Sequence, residues 1–155
     1  MKIGLGCDHA GYEGPPPYYK PCIKQHLQNR GLEVIDFGTF SSAPVDYPDV
    51  AKSLCEAIGR GEIERGVLLC GTGIGMSISA NKFPWIRAAV CTTPFMTILS
   101  RTHNDSNVLC LGRRILTLEE CLHIINIWLD TPFSGEERHC RRIEKNRRLL
   151  GGKEC

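Results

Sequence analysis

A chain of 155 residues with 42% apolar side chains is sized for one domain around a single core, and a net charge of +2 gives no overall pull toward nucleic acid or an acidic partner. No run approaches the ~18 apolar residues that a membrane span requires. The opening Met1-Lys2-Ile3-Gly4-Leu5-Gly6-Cys7 reads as strand and turn rather than secretory signal, so a cytoplasmic location is expected.

In chain order, short β-rich runs at 2–7, 32–37, 66–70, 87–91 and 107–111 alternate with segments of helical spacing. Gly14-Pro15-Pro16-Pro17, followed by Pro21, is read as a loop or polyproline segment that delays the first helix. That helix carries Ile23 and Leu27 and stops at Gly31, a good residue for the left-handed position after a helix. Pro48 marks the next helix start, with Val50, Ala51, Leu54, Cys55 and Ile58 on one face. Thr93-Pro94 opens another. Thr117 and Glu120 form a capping box ahead of Leu118, Cys121, Leu122, Ile125, Trp128 and Leu129. A basic helix is predicted over 136–150. Five β–α units of this length predict an α/β fold: a parallel sheet with helices on both faces, and ligands beyond the carboxyl ends of the strands.

Nine cysteines stand at 7, 22, 55, 70, 91, 110, 121, 140 and 155. No CxxC pair occurs, which argues against a zinc or dithiol redox site. Most are read as reduced, buried, small apolar residues. Cys70 is the exception. It ends the strand Val67-Leu68-Leu69-Cys70 and opens the glycine turn Gly71-Thr72-Gly73-Ile74-Gly75, with a helix from about Ile74. Such a turn points N–H groups at one spot, and the helix start adds partial positive charge, so the site should hold an anion beside a thiol. The spacing is not that of a P-loop, which needs GK[ST], nor of the dinucleotide GxGxxG fingerprint. A cysteine phosphatase would carry Arg where Met76 stands.

Other candidates come with plainer alternatives. Asp8-His9 ends the first strand and could polarise a hydroxyl or bind phosphate, or simply cap a helix. His103-Asn104-Asp105 ends the fourth helix, where a histidine is also a dipole partner. Arg138 and Arg142, at i and i+4, suit a terminal phosphate or a solvated basic face. Asp46-Tyr47-Pro48 reads as a helix start, and His26 and His123 as surface residues.

Taken together, the chain resembles the type B ribose-5-phosphate isomerase family, which includes galactose- and allose-6-phosphate isomerases. The residues that carry the resemblance are Gly6-Cys7-Asp8-His9-Ala10-Gly11, Val34-Ile35-Asp36-x-Gly38-Thr39, Asp46-Tyr47-Pro48 and Cys70-Gly71-Thr72-Gly73-Ile74-Gly75. Ala80-Asn81-Lys82, Arg87-Ala88, Ser100-Arg101-x-His103-Asn104-Asp105 and Arg138-His139-x-x-Arg142 complete it. The resemblance implies a Rossmann-like three-layer sandwich with a five-stranded parallel sheet. It also implies a homodimer, or a tetramer built from it, with active sites between subunits and the extra C-terminal helix on or near the partner. The implied reaction is metal-free and cofactor-free interconversion of ribose 5-phosphate and ribulose 5-phosphate, a step of the pentose phosphate pathway. By resemblance, Cys70 moves the proton between C1 and C2, Thr72 assists between the oxygens, and the N–H groups of Gly71, Thr72, Gly73, Ile74 and Gly75 hold the enediolate. His103, supported by Asp8, opens the furanose ring. Asn104 binds the sugar, Tyr47 lines the pocket, and His9, Arg114, Arg138 and Arg142 grip the phosphate. The proline-rich stretch 14–21 departs from the family as an insertion near the Asp8-His9 loop. The rival readings are a six-carbon sugar-phosphate isomerase, a noncatalytic phosphometabolite-binding module, and a nucleic-acid tail on the basic helix.

Overall fold

The computed structural model describes residues 1–149. Five strands form one fully parallel sheet in the order β2-β1-β3-β5-β4, with β1 Lys2–Cys7, β2 Glu33–Asp36, β3 Arg65–Cys70, β4 Ala88–Val90 and β5 Val108–Gly112. The helices are α1 Tyr19–Asn29, α2 Tyr47–Gly59, α3 Ile74–Ala80, α4 Pro94–Thr102, α5 Leu118–Asp130 and α6 Glu137–Leu149. This is the three-layer arrangement expected from the sequence.

The central strands are apolar at nearly every position because both sheet faces are covered. Their alternation sorts the core into two halves. Ile3, Leu5, Val67, Leu69, Leu109 and Leu111 face α1 and α5, with Ile23, Leu27, Ile125 and Trp128 opposite them. Leu68, Cys70, Val108 and Cys110 face α2 and α3, meeting Leu54, Cys55 and Met76. Cys70 therefore ends β3 on the α2/α3 side.

The predicted caps are present. Thr93 Oγ1 accepts from Met96 N, and Thr117 with Glu120 closes the capping box. Gly31 adopts φ 77°, with its N–H on Gln28 O and that of Leu32 on Leu27 O, so α1 ends in a double-bonded left-handed cap.

The proline-rich stretch differs from expectation. A short 3-10 turn, His9–Tyr12, follows β1 before the chain reaches the prolines. α1 begins at Tyr19, so Pro21 belongs to its first turn, where no intrahelical N–H is lost. Only Pro15, Pro16 and Pro17 lie in the loop.

Lys20 in the same turn is 1% exposed and reaches Asp36 at 2.5 Å and the Thr39 carbonyl at 2.6 Å. Burial disfavours charge on Asp36, but Lys20, the Gly38 amide and Lys24 together hold its carboxyl below the usual range. The stability this contributes is present above the ordinary aspartate pKa and is lost as pH falls through the depressed one. The network fixes the loop after β2 beside the carboxyl end of β1, where Thr39 N donates to Cys7 O at 2.8 Å.

α6 is the outlier. Of its thirteen residues only His139 is buried. Leu150 lies outside the described residues.

Candidate active site

The chain reverses its direction across the sheet between β1 and β3, and the crevice at their carboxyl ends is the natural ligand position. Asp8 and Cys70 stand there. Gly73 takes φ 80°, and a Cβ on it would meet the backbone of Leu111 at 3.1–3.2 Å, so no other residue makes this turn without strain. Its N–H donates to Cys70 Sγ at 3.1 Å. Cys70 is 4% exposed. Burial pushes the Cys7, Cys55 and Cys121 thiols up to about 12, which leaves them protonated and inert at neutral pH. All eight described cysteines are free; six are buried as expected, while Cys22 is half-buried and Cys140 exposed.

Two of the amides in the turn have partners within the chain. The Gly73 N–H serves the thiol, and the Ile74 N–H is within 3.3 Å of the Thr72 hydroxyl. Gly75, second in α3, has one of the N–H groups a helix start leaves without an intrahelical acceptor. The Tyr47 ring lies against Gly75, since a Cβ there would fall 2.8 Å from Tyr47 Cζ. The turn after β5 closes the other side: Arg113 N and Arg114 N donate to Cys70 O and Gly71 O, each at 2.9 Å.

Asp8 caps the 3-10 turn, accepting from Ala10 N at 2.9 Å, and is 5% exposed. The capping reading of Asp8 thus holds whatever else it does. Burial raises its pKa, opposed by the Ala10 amide and the neighbouring His9. His9 Nδ1 accepts from Val45 N at 3.4 Å. Arg114 forms a two-pronged pair with Glu13 beside Gly71.

His103, Asn104, Arg138 and Arg142 lie elsewhere. α4 leaves the carboxyl end of β4 and runs back along the sheet, so it finishes at the amino edge. Arg87, just before β4, donates to the carbonyls of Asn104 and Asp105 at 3.0 and 2.9 Å. Asp105 also binds Arg101, which is 3% exposed, at 2.8 Å. The His103 ring stacks on His139 at 4.3 Å and 15°, which brings α6 to the same edge. His139 is 3% exposed with Nε2 unpartnered, and burial, then His103 and Arg138, lowers its pKa. Arg138 pairs with Glu136. β5, with five residues at ~3.3 Å each, sets the edges roughly 16 Å apart. One chain therefore does not bring His103 to Asp8 or Cys70.

The sequence alone assigns no role to Glu13, Arg101 or His139. The charge of Glu13 beside the Asp8-His9 segment is a usable signal for the first. Nothing in the spacing announces the ring stack.

A thiol held by an amide at the switch point of a doubly wound sheet, flanked by histidine, arginine and carboxylate, defines an enzyme for a small anionic substrate. Residues 3–146 match the sequence profile of the Ribose/Galactose Isomerase family, and the chain belongs to that family. It is 48% identical over 143 residues to ribose-5-phosphate isomerase B of Escherichia coli K12, covering 92% of each chain. The solved structure of Clostridium thermocellum ribose-5-phosphate isomerase B is 48% identical, with a TM-score of 0.92 over 97% of this chain and 98% of that one. A ribose 5-phosphate isomerase from Thermotoga maritima is 45% identical, with a TM-score of 0.88 over 95% and 97%.

Proposed function

We propose that this protein interconverts ribose 5-phosphate and ribulose 5-phosphate through an enediolate, with Cys70 as the base. The observation that carries the reading is the Gly73 N–H placed on Cys70 Sγ at 3.1 Å inside the glycine turn. A thiolate there takes the proton from C2 of the open-chain aldose. The electron pair moves to the carbonyl oxygen, and the same proton is delivered to C1 after the two oxygens exchange theirs, with Thr72 assisting. The remaining turn amides stabilise the developing oxyanion, the largest single contribution in such chemistry. The phosphate supplies binding energy remote from the reacting carbons.

The site is shared between two subunits of a homodimer. The carboxyl edge of one, with Asp8, His9, Tyr47, Cys70 and Arg114, faces the amino edge of the other, with His103, Asn104, Arg138 and Arg142. The separation of these groups within one chain supports this. So do the scarcely buried α6 and the exposed apolar side chains Ile74 and Ile78 on α3 and Phe95 and Ile98 on α4. His103 opens the furanose ring at the partner's edge. Free thiols throughout the described residues fit a reducing, cytoplasmic setting.

The purified protein, assayed with ribose 5-phosphate and allose 6-phosphate with and without EDTA, is expected to favour the pentose and to ignore the chelator. Faster turnover of the hexose, or loss of activity in EDTA, would overturn the assignment. In the same assay Arg142→Ala is expected to raise KM by about tenfold while kcat falls less, since a phosphate contact acts alike on ground and transition states. An unchanged KM would remove Arg142 from the phosphate site.

A further inference from the structure

We propose that Glu13 is the positioning residue for Arg114, fixing its guanidinium over Gly71 as the anion-binding wall of the substrate site; this rests on the isomerase reading above.

Glu13 Oε2 accepts from Arg114 Nε at 3.0 Å, and Oε1 accepts from Nη2. The pairing occupies the Nε–Nη2 side of the planar fork and leaves Nη1 outside it. Nη1 lies against the glycine turn. A Cβ added to Gly71 would stand 3.0 Å from Nη1 and 3.2 Å from Cζ. The free donors thus overhang the residue that follows Cys70.

The backbone around Glu13 is held by the same β5–α5 turn. Arg113 Nη2 reaches the Glu13 carbonyl at 3.4 Å, and its guanidinium lies 4.3 Å from the centre of the Tyr19 ring. Tyr19 in turn donates to Leu116 O at 3.0 Å. Residues 113–116 therefore grip the proline-rich loop at Glu13 and again at Tyr19, and the loop delivers its carboxylate to Arg114. The Glu13 and Arg114 side chains are 29% and 57% exposed. An ion pair this open adds little to stability. Its effect lies in where Nη1 points, because an arginine held in one rotamer loses less freedom when the anion arrives.

The test is a double-mutant cycle over Glu13→Ala, Arg114→Ala and the pair, read by ribose 5-phosphate kinetics and by calorimetric titration with inorganic phosphate. Glu13→Ala is expected to raise KM and the phosphate Kd by about fivefold with kcat within about twofold, and the pair to be no weaker than Arg114→Ala alone. Glu13→Gln, which keeps one acceptor, should fall between Glu13→Ala and wild type. Independent, multiplying effects would overturn the proposal. So would tighter phosphate binding in Glu13→Ala, which would make Glu13 a competitor for the guanidinium. If wild type failed to isomerise ribose 5-phosphate while phosphate titration followed the coupled pattern, the functional reading would fall and the positioning role would stand.

Discussion

Replacing Cys70 by serine is expected to lower kcat about a thousandfold while leaving substrate affinity nearly unchanged. The substitution exchanges one atom in a buried site and removes no phosphate or sugar contact. What changes is the group proposed to act as the base. Sulfur at the end of β3 accepts the Gly73 N–H at 3.1 Å. A serine hydroxyl in the same place does not ionise near neutral pH, so the proton on C2 would lose the base proposed for it. General-base catalysis contributes roughly 10² to 10⁴ in rate, which sets the size of the expected loss. Steady-state kinetics with ribose 5-phosphate, together with competition by inorganic phosphate, separates the two parameters. A variant whose kcat stays within about tenfold of wild type would remove Cys70 from the chemistry.

The elements that the sequence made legible are those whose signals are local. β3 reads as an unbroken apolar run because both faces are covered, and Gly71-Thr72-Gly73 reads as a turn because Gly73 must take φ 80°. Thr93, Thr117 and Gly31 mark helix ends through bonds spanning only a few residues. Where spacing misled, a competing local rule decided. Pro21 punctuates a loop or sits in the first turn of a helix with equal ease, and here α1 takes it in. The 3-10 turn at His9–Tyr12 has no hydrophobic period to reveal it.

For the candidate site, the chemistry of each residue was legible but the arrangement was not. Glu13 and Arg114 are 101 positions apart, and His103 stacks on His139 of a different helix. Side-chain chemistry is written at each position, whereas the edge of the sheet to which a residue belongs depends on strand direction. That dependence separates His103 from Asp8, although both stand at the ends of elements.

This separation leads to the second large effect expected. Cys70→Ser and His103→Asn chains should each be nearly inactive alone and should regain activity on mixing. In a heterodimer of the two, one site brings both substituted positions together and is dead. The other combines the intact carboxyl edge of the His103→Asn chain with the intact amino edge of the Cys70→Ser chain. Random reassociation makes half the dimers mixed, so about a quarter of wild-type activity returns when two-fold dimers exchange freely. The kcat per intact site should equal that of wild type, because neither substitution touches it. Exchange is followed by tagging one chain and recovering the untagged partner with it. If exchange is complete and the mixture is no more active than the average of its parents, each chain must build its site alone. His103 and the arginines would then have to reach Cys70 over the roughly 16 Å between the two edges of one sheet.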